Sequence, residues 1–274
     1  MTKSNPQIIF FGNGPLADYA LPILEKSCDL IFHARTKEDL EDIKKIKAKN
    51  PDAYGILASY GVIIKSDVLD LFEPNGILNI HPSLLPKYRG PSPIESAILA
   101  GDTTLGVSVM KLVSAMDAGP IYHQKSFNFS LNTSKDEIYH SLSEYAASWI
   151  AGTLNSINSS TPLSEIAPII TQDNSQATYT KKLDKSLSPL DPTSKSAQQL
   201  LNQIRAFSGF PKSKYTFFDL DCTIISAHVA TTDSIPKNTL ALRCYDNSTL
   251  IIDQIQPAGR KIMDAKSFIN GYSK

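Results

Sequence analysis

Gln7-Ile-Ile-Phe-Phe-Gly-Asn-Gly14 is the stretch that decides the fold. A run of large apolar residues closes on glycine, and Leu16, Tyr19, Leu21 and Leu24 follow at helical spacing. Such a run, too short for a helix, is a buried strand turning tightly into a helix, the opening of a doubly wound α/β sheet. The pattern then repeats. Leu30–His33 is a second short strand, followed by a charged helical stretch from Lys37 to Lys49. Tyr54–Ser59 and Gly76–Ile80 supply a third and a fourth strand. Strands alternating with helices at this pace predict a Rossmann-like, mostly parallel sheet with covered faces. In such sheets the working groups gather at the carboxyl ends of the strands. Gly12-Asn-Gly14 itself is no dinucleotide fingerprint, because position 17 is alanine where a third glycine would stand.

Further along, Ser134-Lys-Asp-Glu137 has the form of a capping box, with Ile138, Leu142, Tyr145 and Trp149 at helical spacing behind it. Asn155 to Thr178 is rich in Ser, Asn, Thr and Pro and suggests a surface connector. Ala197, Leu200, Ile204 and Phe207 mark one face of a later helix, stopped by Gly209-Phe-Pro211. Strand-like runs follow at Tyr215–Phe218, Thr223–Val229, Leu240–Tyr245 and Leu250–Ile255, broken by Ser-Ile-Pro and Asp-Asn-Ser turns. Their spacing predicts a small antiparallel, OB-like β-barrel. The expected organisation is a first domain over 1–155, a linker over 156–180 and a barrel-like domain over 181–274.

Apolar content of 42% with 20% charge belongs to a soluble globular protein. No apolar run approaches the roughly 18 residues of a membrane span, and the N-terminal order of residues is not that of a signal peptide. Cys28, Cys222 and Cys244 are odd in number and widely spaced, which predicts free thiols in a reducing cytoplasm. Net charge is zero, yet the balance is uneven. Residues 1–179 hold 14 Lys and Arg against 19 Asp and Glu, a balance of −5; residues 180–274 hold 13 against 8, a balance of +5. A basic tail of this kind suits a polyanionic partner, although chance placement gives the same count.

The densest polar constellation is Asn79-Ile-His81-Pro-Ser83-Leu-Leu-Pro86, with Arg89-Gly90 just beyond. Asn79 and His81 are two apart, so on a strand end their side chains leave on the same face. A carboxamide and an imidazole converging on one point can bind a carbonyl oxygen and manage a proton. They could equally be a buried polar pair satisfying backbone groups, and spacing does not choose. Asp117, in Ala115-Met-Asp-Ala-Gly119, could orient His81 or simply occupy a turn. His33, His123, His140 and His228 lack metal-ligand spacing, and no metal is expected.

Asn79–Pro86, Arg89-Gly90-Pro91, Gly101-Asp102 and Asp117-Ala-Gly119 together resemble the signature of the folate-dependent formyltransferases. The tail is similar to the C-terminal domain of the members that act on tRNA. It matches at Thr178–Leu183, Ile204–Phe207 with Pro211, Leu250–Arg260 and Met263–Gly271. The resemblance covers nearly the whole chain. It implies a cytoplasmic, monomeric transferase that moves a formyl group from 10-formyltetrahydrofolate to initiator methionyl-tRNA. Asn79, His81 and Asp117 would be its catalytic trio: Asn79 and His81 holding the oxygen that becomes anionic, Asp117 orienting His81.

By the same resemblance, the folate would lie against Val62, Ile63, Ile64, Leu69, Ser83, Leu84, Leu85, Pro86, Ala115 and Met116. Arg89, Gly90, Lys181, Lys182, Arg205 and Arg260 would meet the acceptor. The tRNA-directed members carry a longer basic loop after the second strand, where this chain has only His33-Ala-Arg-Thr-Lys37. That departure keeps other readings alive: a sugar-nucleotide N-formyltransferase, a purine-pathway transformylase, or a non-catalytic RNA-binding module.

Overall fold

The computed structural model describes residues 4–157, 163–165, 169–232, 235–236 and 238–273. Parts of the Ser/Asn/Thr/Pro-rich connector and Ser234 of the Ser-Ile-Pro turn lie outside them. In chain order the described elements begin with β1 (Gln7–Gly12), α1 (Pro15–Leu24), β2 (Asp29–Ala34), α2 (Leu40–Lys49) and β3 (Tyr54–Ala58). Then come α3 (Ser66–Leu69), β4 (Ile77–His81), α4 (Pro93–Ala100), β5 (Thr104–Lys111), β6 (Ile121–Asn128) and α5 (Lys135–Ser156). The remainder are α6 (Ala197–Ala206), β7 (Ser213–Phe217), β8 (Leu220–Val229), β9 (Ala241–Arg243), β10 (Thr249–Pro257), β11 (Met263–Asp264) and α7 (Ala265–Tyr272). The chain divides into two compact units, one of residues 1–94 with 103–181 and one of residues 95–102 with 182–274.

The first unit is built on a six-stranded sheet in the order β2-β1-β3-β4-β5-β6. The first four strands run parallel, and β5 and β6 add on antiparallel. This is the mostly parallel α/β sheet that the opening strand announces. Alternation along β1 sends Ile9 and Phe11 to one face, where Ile43 of α2, Val68 of α3 and Phe72 pack with them. On the other side α1 and α5 pack together, their apolar stripes of Leu16, Ala20 and Leu24 and of Ile138, Leu142, Ala146 and Ile150 fully buried. Ser134 does cap α5: its hydroxyl accepts from the Glu137 amide, and the Glu137 carboxylate accepts from the Ser134 amide. Each such cap is worth about 1 kcal/mol.

The connection between β2 and α2 is a closed turn. Asp39 Oδ2 accepts from the backbone N–H groups of Arg35 and Thr36, both at 2.7 Å. Helix α2 starts at Leu40 rather than at Lys37, since Asp39 commits its carboxylate to the turn before it and makes no side-chain cap on the helix. The connection is as short as the sequence implies.

The second unit holds a curled antiparallel sheet in the order β11-β10-β8-β7, with β9 on the side of β10. Helix α6, with its own capping box from Ser196 and Gln199, buries Ala197, Leu200 and Ile204 in the core of that sheet. Phe268 of α7 joins them, and so do Cys222 and Cys244. All three cysteines are free and buried, and burial raises the pKa of each thiol.

One packing detail positions the site. A β-carbon at Gly106 of β5 would sit 2.4 Å from Leu84 Cδ2 and 2.5 Å from the Lys125 carbonyl oxygen. The missing side chain is the seat on which the loop after β4 rests. Gly106→Ala is expected to destabilise the protein by about 1–3 kcal/mol, the usual cost of overpacking against backbone that cannot yield. Chemical denaturation of the variant beside the wild type measures it.

Candidate active site

Strand β4 ends at the carboxyl edge of the first sheet with Asn79 and His81 on one face and Ile80 on the other. Both polar residues are 5% exposed. His81 Nε2 lies 3.0 Å from the Tyr88 carbonyl oxygen. A carbonyl only accepts, so Nε2 carries the proton and Nδ1 of the neutral ring is a bare lone pair. That lone pair faces Asp117 Oδ2 at 3.7 Å. Burial, the largest influence, holds the His81 pKa below the ordinary histidine value, while the Asp117 charge opposes it. The ring is neutral at neutral pH, with its one acceptor nitrogen aimed at a carboxylate.

Asp117 is held from two sides. Its Oδ2 accepts from the Gly90 amide at 2.7 Å. Its own carbonyl, with that of Gly119, accepts from Gln172 Nε2 at 2.9 and 2.7 Å. Asp117 has φ +46, Tyr88 φ +59 and Ser59, at the end of β3, φ +52. Non-glycine residues in this left-handed region cost free energy and gather where surrounding structure fixes them for function. The Asn79 carboxamide, by contrast, makes no hydrogen bond among the described residues. Tyr54 Oη and Ser213 Oγ are the fully enclosed side-chain polar atoms without a partner among those residues, and the Asn79 amide is not one of them. A nearly buried amide with free donors, beside a neutral imidazole and a carboxylate, is a site for an oxygen that gains charge while a proton leaves nearby.

The other residues implied by the resemblance divide. Ile63, 87% exposed, Met116, 61% exposed, and Ala115 present open surface in the first unit. Val62, Leu69, Leu84 and Pro86 are half-buried. The side chains of Ile64 and Leu85 belong to apolar clusters, Ile64 with Phe11 and Phe72 and Leu85 with Met110 and Ile121. Ser83 turns its hydroxyl back to the Lys87 carbonyl at 2.6 Å.

Arg89 is not at the surface. Its side chain is 2% exposed, and its guanidinium donates to Gln172 Oε1, to Asn174 Oδ1 and to the Tyr179 hydroxyl. Four of its five N–H groups are engaged within the fold. Gly90, likewise, serves Asp117 through its amide. In the second unit Lys182 and Arg260 are exposed, Arg205 is half-buried, and Arg260 lines a cleft of about 270 Å³ with Lys214, Asp221 and Gln256. Lys181, in the first unit, is exposed.

Sequence reasoning did not single out Tyr88, Gln172, Asn174 and Tyr179. Tyr88 acts through a backbone carbonyl, for which no side-chain pattern exists. The other three lie 83 to 90 positions from Arg89 in the stretch taken for a connector. Among the described residues, no group of His, Cys, Asp and Glu could hold a metal ion, and no helix is long and apolar enough to cross a membrane.

Comparison with known proteins gives the setting of this geometry. The formyl transferase family matches residues 13–154, and the formyl transferase C-terminal domain matches residues 182–273. The methionyl-tRNA formyltransferase of Borrelia hermsii is 36% identical over 242 residues, covering 84% of this chain and 75% of its own. The methionyl-tRNA formyltransferase of Clostridium thermocellum superposes with a TM-score of 0.65 at 17% identity, over 93% of this chain and 99% of that one. The sugar 3N-formyl transferase WlaRD, solved in the presence of dTDP and 5-N-formyl-THF, superposes with a TM-score of 0.67 at 18% identity, over 94% and 100%. At these identities the two structures share the fold.

Because burial lowers the His81 pKa in the folded chain, the unfolded chain binds the extra proton first as pH falls. The stability contributed by a neutral His81 is present above the ordinary histidine value of about 6.5 and is lost as pH falls through the lower, folded value. Denaturant unfolding between neutral and mildly acidic pH is expected to show a shallower loss in His81→Gln than in the wild type. Parallel curves for the two proteins would contradict the desolvated ring.

Proposed function

Because the chain belongs to the formyl transferase family, we propose that it transfers the formyl group of 10-formyltetrahydrofolate to the α-amino group of initiator methionyl-tRNA. The observation that carries the reading is the unpartnered Asn79 amide beside the His81–Asp117 pair, at the carboxyl end of β4. The donor supplies an activated formyl carbon. Exposed Ile63 and Met116 and the half-buried Val62 and Leu84 offer apolar surface suited to the faces of a pterin.

The chain's own residues then divide the work. Asn79 donates to the formyl oxygen as charge builds on it. His81 cannot share that task while neutral, since its single N–H is engaged by Tyr88. Its Nδ1 instead accepts the proton that the attacking amine must shed, and Asp117 stabilises the imidazolium so formed. The tetrahedral adduct then collapses with breakage of the bond between the formyl carbon and N10, that proton passing to N10 as tetrahydrofolate leaves. This departs from the sequence-derived expectation, in which both Asn79 and His81 hold the oxygen. No covalent enzyme intermediate is needed. The donor and the acceptor need only be held together at the site.

The acceptor is assigned on two grounds. Relatives above 30% identity over most of the chain are methionyl-tRNA formyltransferases. The exposed cations Lys181, Lys182, Lys214 and Arg260 suit a phosphate backbone, in which case binding weakens steeply as salt rises. A sugar-nucleotide acceptor is the second reading, favoured by the short β2–α2 turn and by the likeness to the sugar enzyme.

Formyl transfer to charged initiator methionyl-tRNA, with uncharged tRNA and an amino-sugar nucleotide in parallel, tests the acceptor. Product only with the charged tRNA is expected; product only with the sugar overturns the tRNA assignment. Asn79→Ala should lower kcat by roughly 10²–10³, the usual cost of losing a donor to a developing oxyanion. Near-wild-type turnover in a folded Asn79→Ala protein would remove Asn79 from this role.

A further inference from the structure

Arg89 is a buried cation whose side-chain partners are neutral: Gln172 Oε1 at 3.1 and 2.7 Å, Asn174 Oδ1 at 2.8 Å and the Tyr179 hydroxyl at 3.4 Å. Its backbone pairs with the same segment, the Arg89 amide donating to the Thr178 carbonyl and the Thr180 amide to the Arg89 carbonyl. One side chain among these partners does more than receive the charge. Gln172, 8% exposed, accepts twice from Arg89 through Oε1 and donates twice through Nε2, to the carbonyls of Asp117 and Gly119. Both ends of its carboxamide are saturated. Asn174 binds the same guanidinium, and its described hydrogen bonds do not reach the Asp117 loop.

Besides the Gly90 amide on the Asp117 carboxylate, an Ala118–Ala115 turn bond and the Lys111 amide on the Pro120 carbonyl, the Gln172 bonds are what fix the Asp117 loop. Ala115 and Met116 are exposed, and Asp117 adopts the left-handed conformation with φ +46. Gly119 has no freedom to move toward β5, because a β-carbon there would come within 1.9 Å of the Lys111 carbonyl oxygen. A carboxylate 3.7 Å from an imidazole is useful only if its backbone stays in place.

We infer that Gln172 is a positioning residue of the active site, a relay through which the buried Arg89 guanidinium holds the Asp117–Gly119 backbone so that the Asp117 carboxylate faces His81. The inference rests on the catalytic reading of Asp117 and His81 given above. Polarisation adds to it: an amide whose oxygen receives two charge-assisted bonds is a stronger donor through its nitrogen. The backbone carbonyls of Asp117 and Gly119 are therefore gripped more firmly than by an isolated glutamine.

Three variants of the full chain separate this role from simple satisfaction of Arg89. Gln172→Met removes both arms at constant charge and similar volume. Gln172→Glu keeps an acceptor for Arg89 and removes both donors. Asn174→Ala loosens Arg89 alone. Both Gln172 variants are expected to lower kcat by roughly 10–100-fold, the cost of displacing a reacting group by about 1 Å, with KM for each substrate little changed. Asn174→Ala should lower kcat far less than either Gln172 variant, because Gln172 still spans Arg89 and the two carbonyls.

In Gln172→Met the acid limb of the kcat profile should move to lower pH, because a displaced Asp117 no longer favours the protonated His81. The His81 imidazole, followed by NMR and assigned with His81→Gln, should titrate lower in the same variant without any substrate present. Should Gln172→Met fail to fold, the kcat of Gln172→Glu decides.

Wild-type kcat in a folded Gln172→Glu, or equal losses in Gln172→Met and Asn174→Ala, overturns the inference. Asp117→Asn run beside them keeps the two ideas apart. If it shifts the His81 titration yet leaves kcat intact, the catalytic reading fails and the inference, which rests on it, falls too. If it abolishes turnover while Gln172→Met moves neither readout, only the positioning role is lost.

Discussion

Taking a guanidinium out of water costs several kcal/mol, and the first unit bears that cost at Arg89. The charge is compensated by a carboxamide, a second amide and a phenol rather than by a carboxylate. Neutral acceptors can be rotated and shared, so the same groups that solvate the cation also tie distant backbone together. Gln172, Asn174 and Tyr179 meet on this one side chain, the backbone of Arg89 pairs with Thr178 and Thr180, and Gln172 carries the connection on to the loop of Asp117. Removing one of its acceptors would leave a buried donor unpaired, at about 1–3 kcal/mol or more for a charged group.

Within that frame, His81 is set by two opposing influences. Desolvation favours the neutral ring; the Asp117 carboxylate favours the charged one, and desolvation prevails. A base needs this order of strength. A ring already charged at neutral pH would have no lone pair for the amine proton, and a ring with no carboxylate near it would hold the proton poorly once taken. The contact at 3.7 Å is longer than a hydrogen bond because, with Nε2–H committed to Tyr88, neither partner has a proton to place between them. Proton uptake would supply it.

The sheet and the Asn79–His81 pair were legible because both depend on local periodicity. Short apolar runs punctuated by glycine give parallel strands, and a two-residue spacing at a strand end gives two side chains on one face. The start of α2 was misplaced by three residues because Asp39 closes a turn through the backbone amides of Arg35 and Thr36, which side-chain periodicity does not show. The burial of Arg89 was not legible for a deeper reason. An arginine beside a glycine in a polar loop has the composition of an exposed anion contact, and its burial is decided by residues more than 80 positions later. Gln172, Asn174 and Tyr179 lie in a stretch whose composition suggests a connector, and only the fold shows part of that stretch hydrogen-bonded to the site.

The distribution of charge follows the same division between chemistry and recognition. In the first unit Arg35, on the turn after β2, donates through Nε to His33 Nδ1, and the turn's amides close on Asp39. That turn closes on itself, with Arg35 to Glu38 exposed. From residue 180 onward the excess of cations over anions is +5, and Lys182, Lys214 and Arg260 stand exposed. A polyanion is attracted over roughly a Debye length, about 8 Å at physiological salt, and needs no single pre-formed clamp to be held. The balance of −5 before residue 180 and of +5 after it means that a polyanion would be drawn to the second part rather than to the first. Under the proposed function such recognition would leave the site to discriminate by chemistry, because an imidazole lone pair and a free amide placed side by side suit a neutral amine with a proton to give.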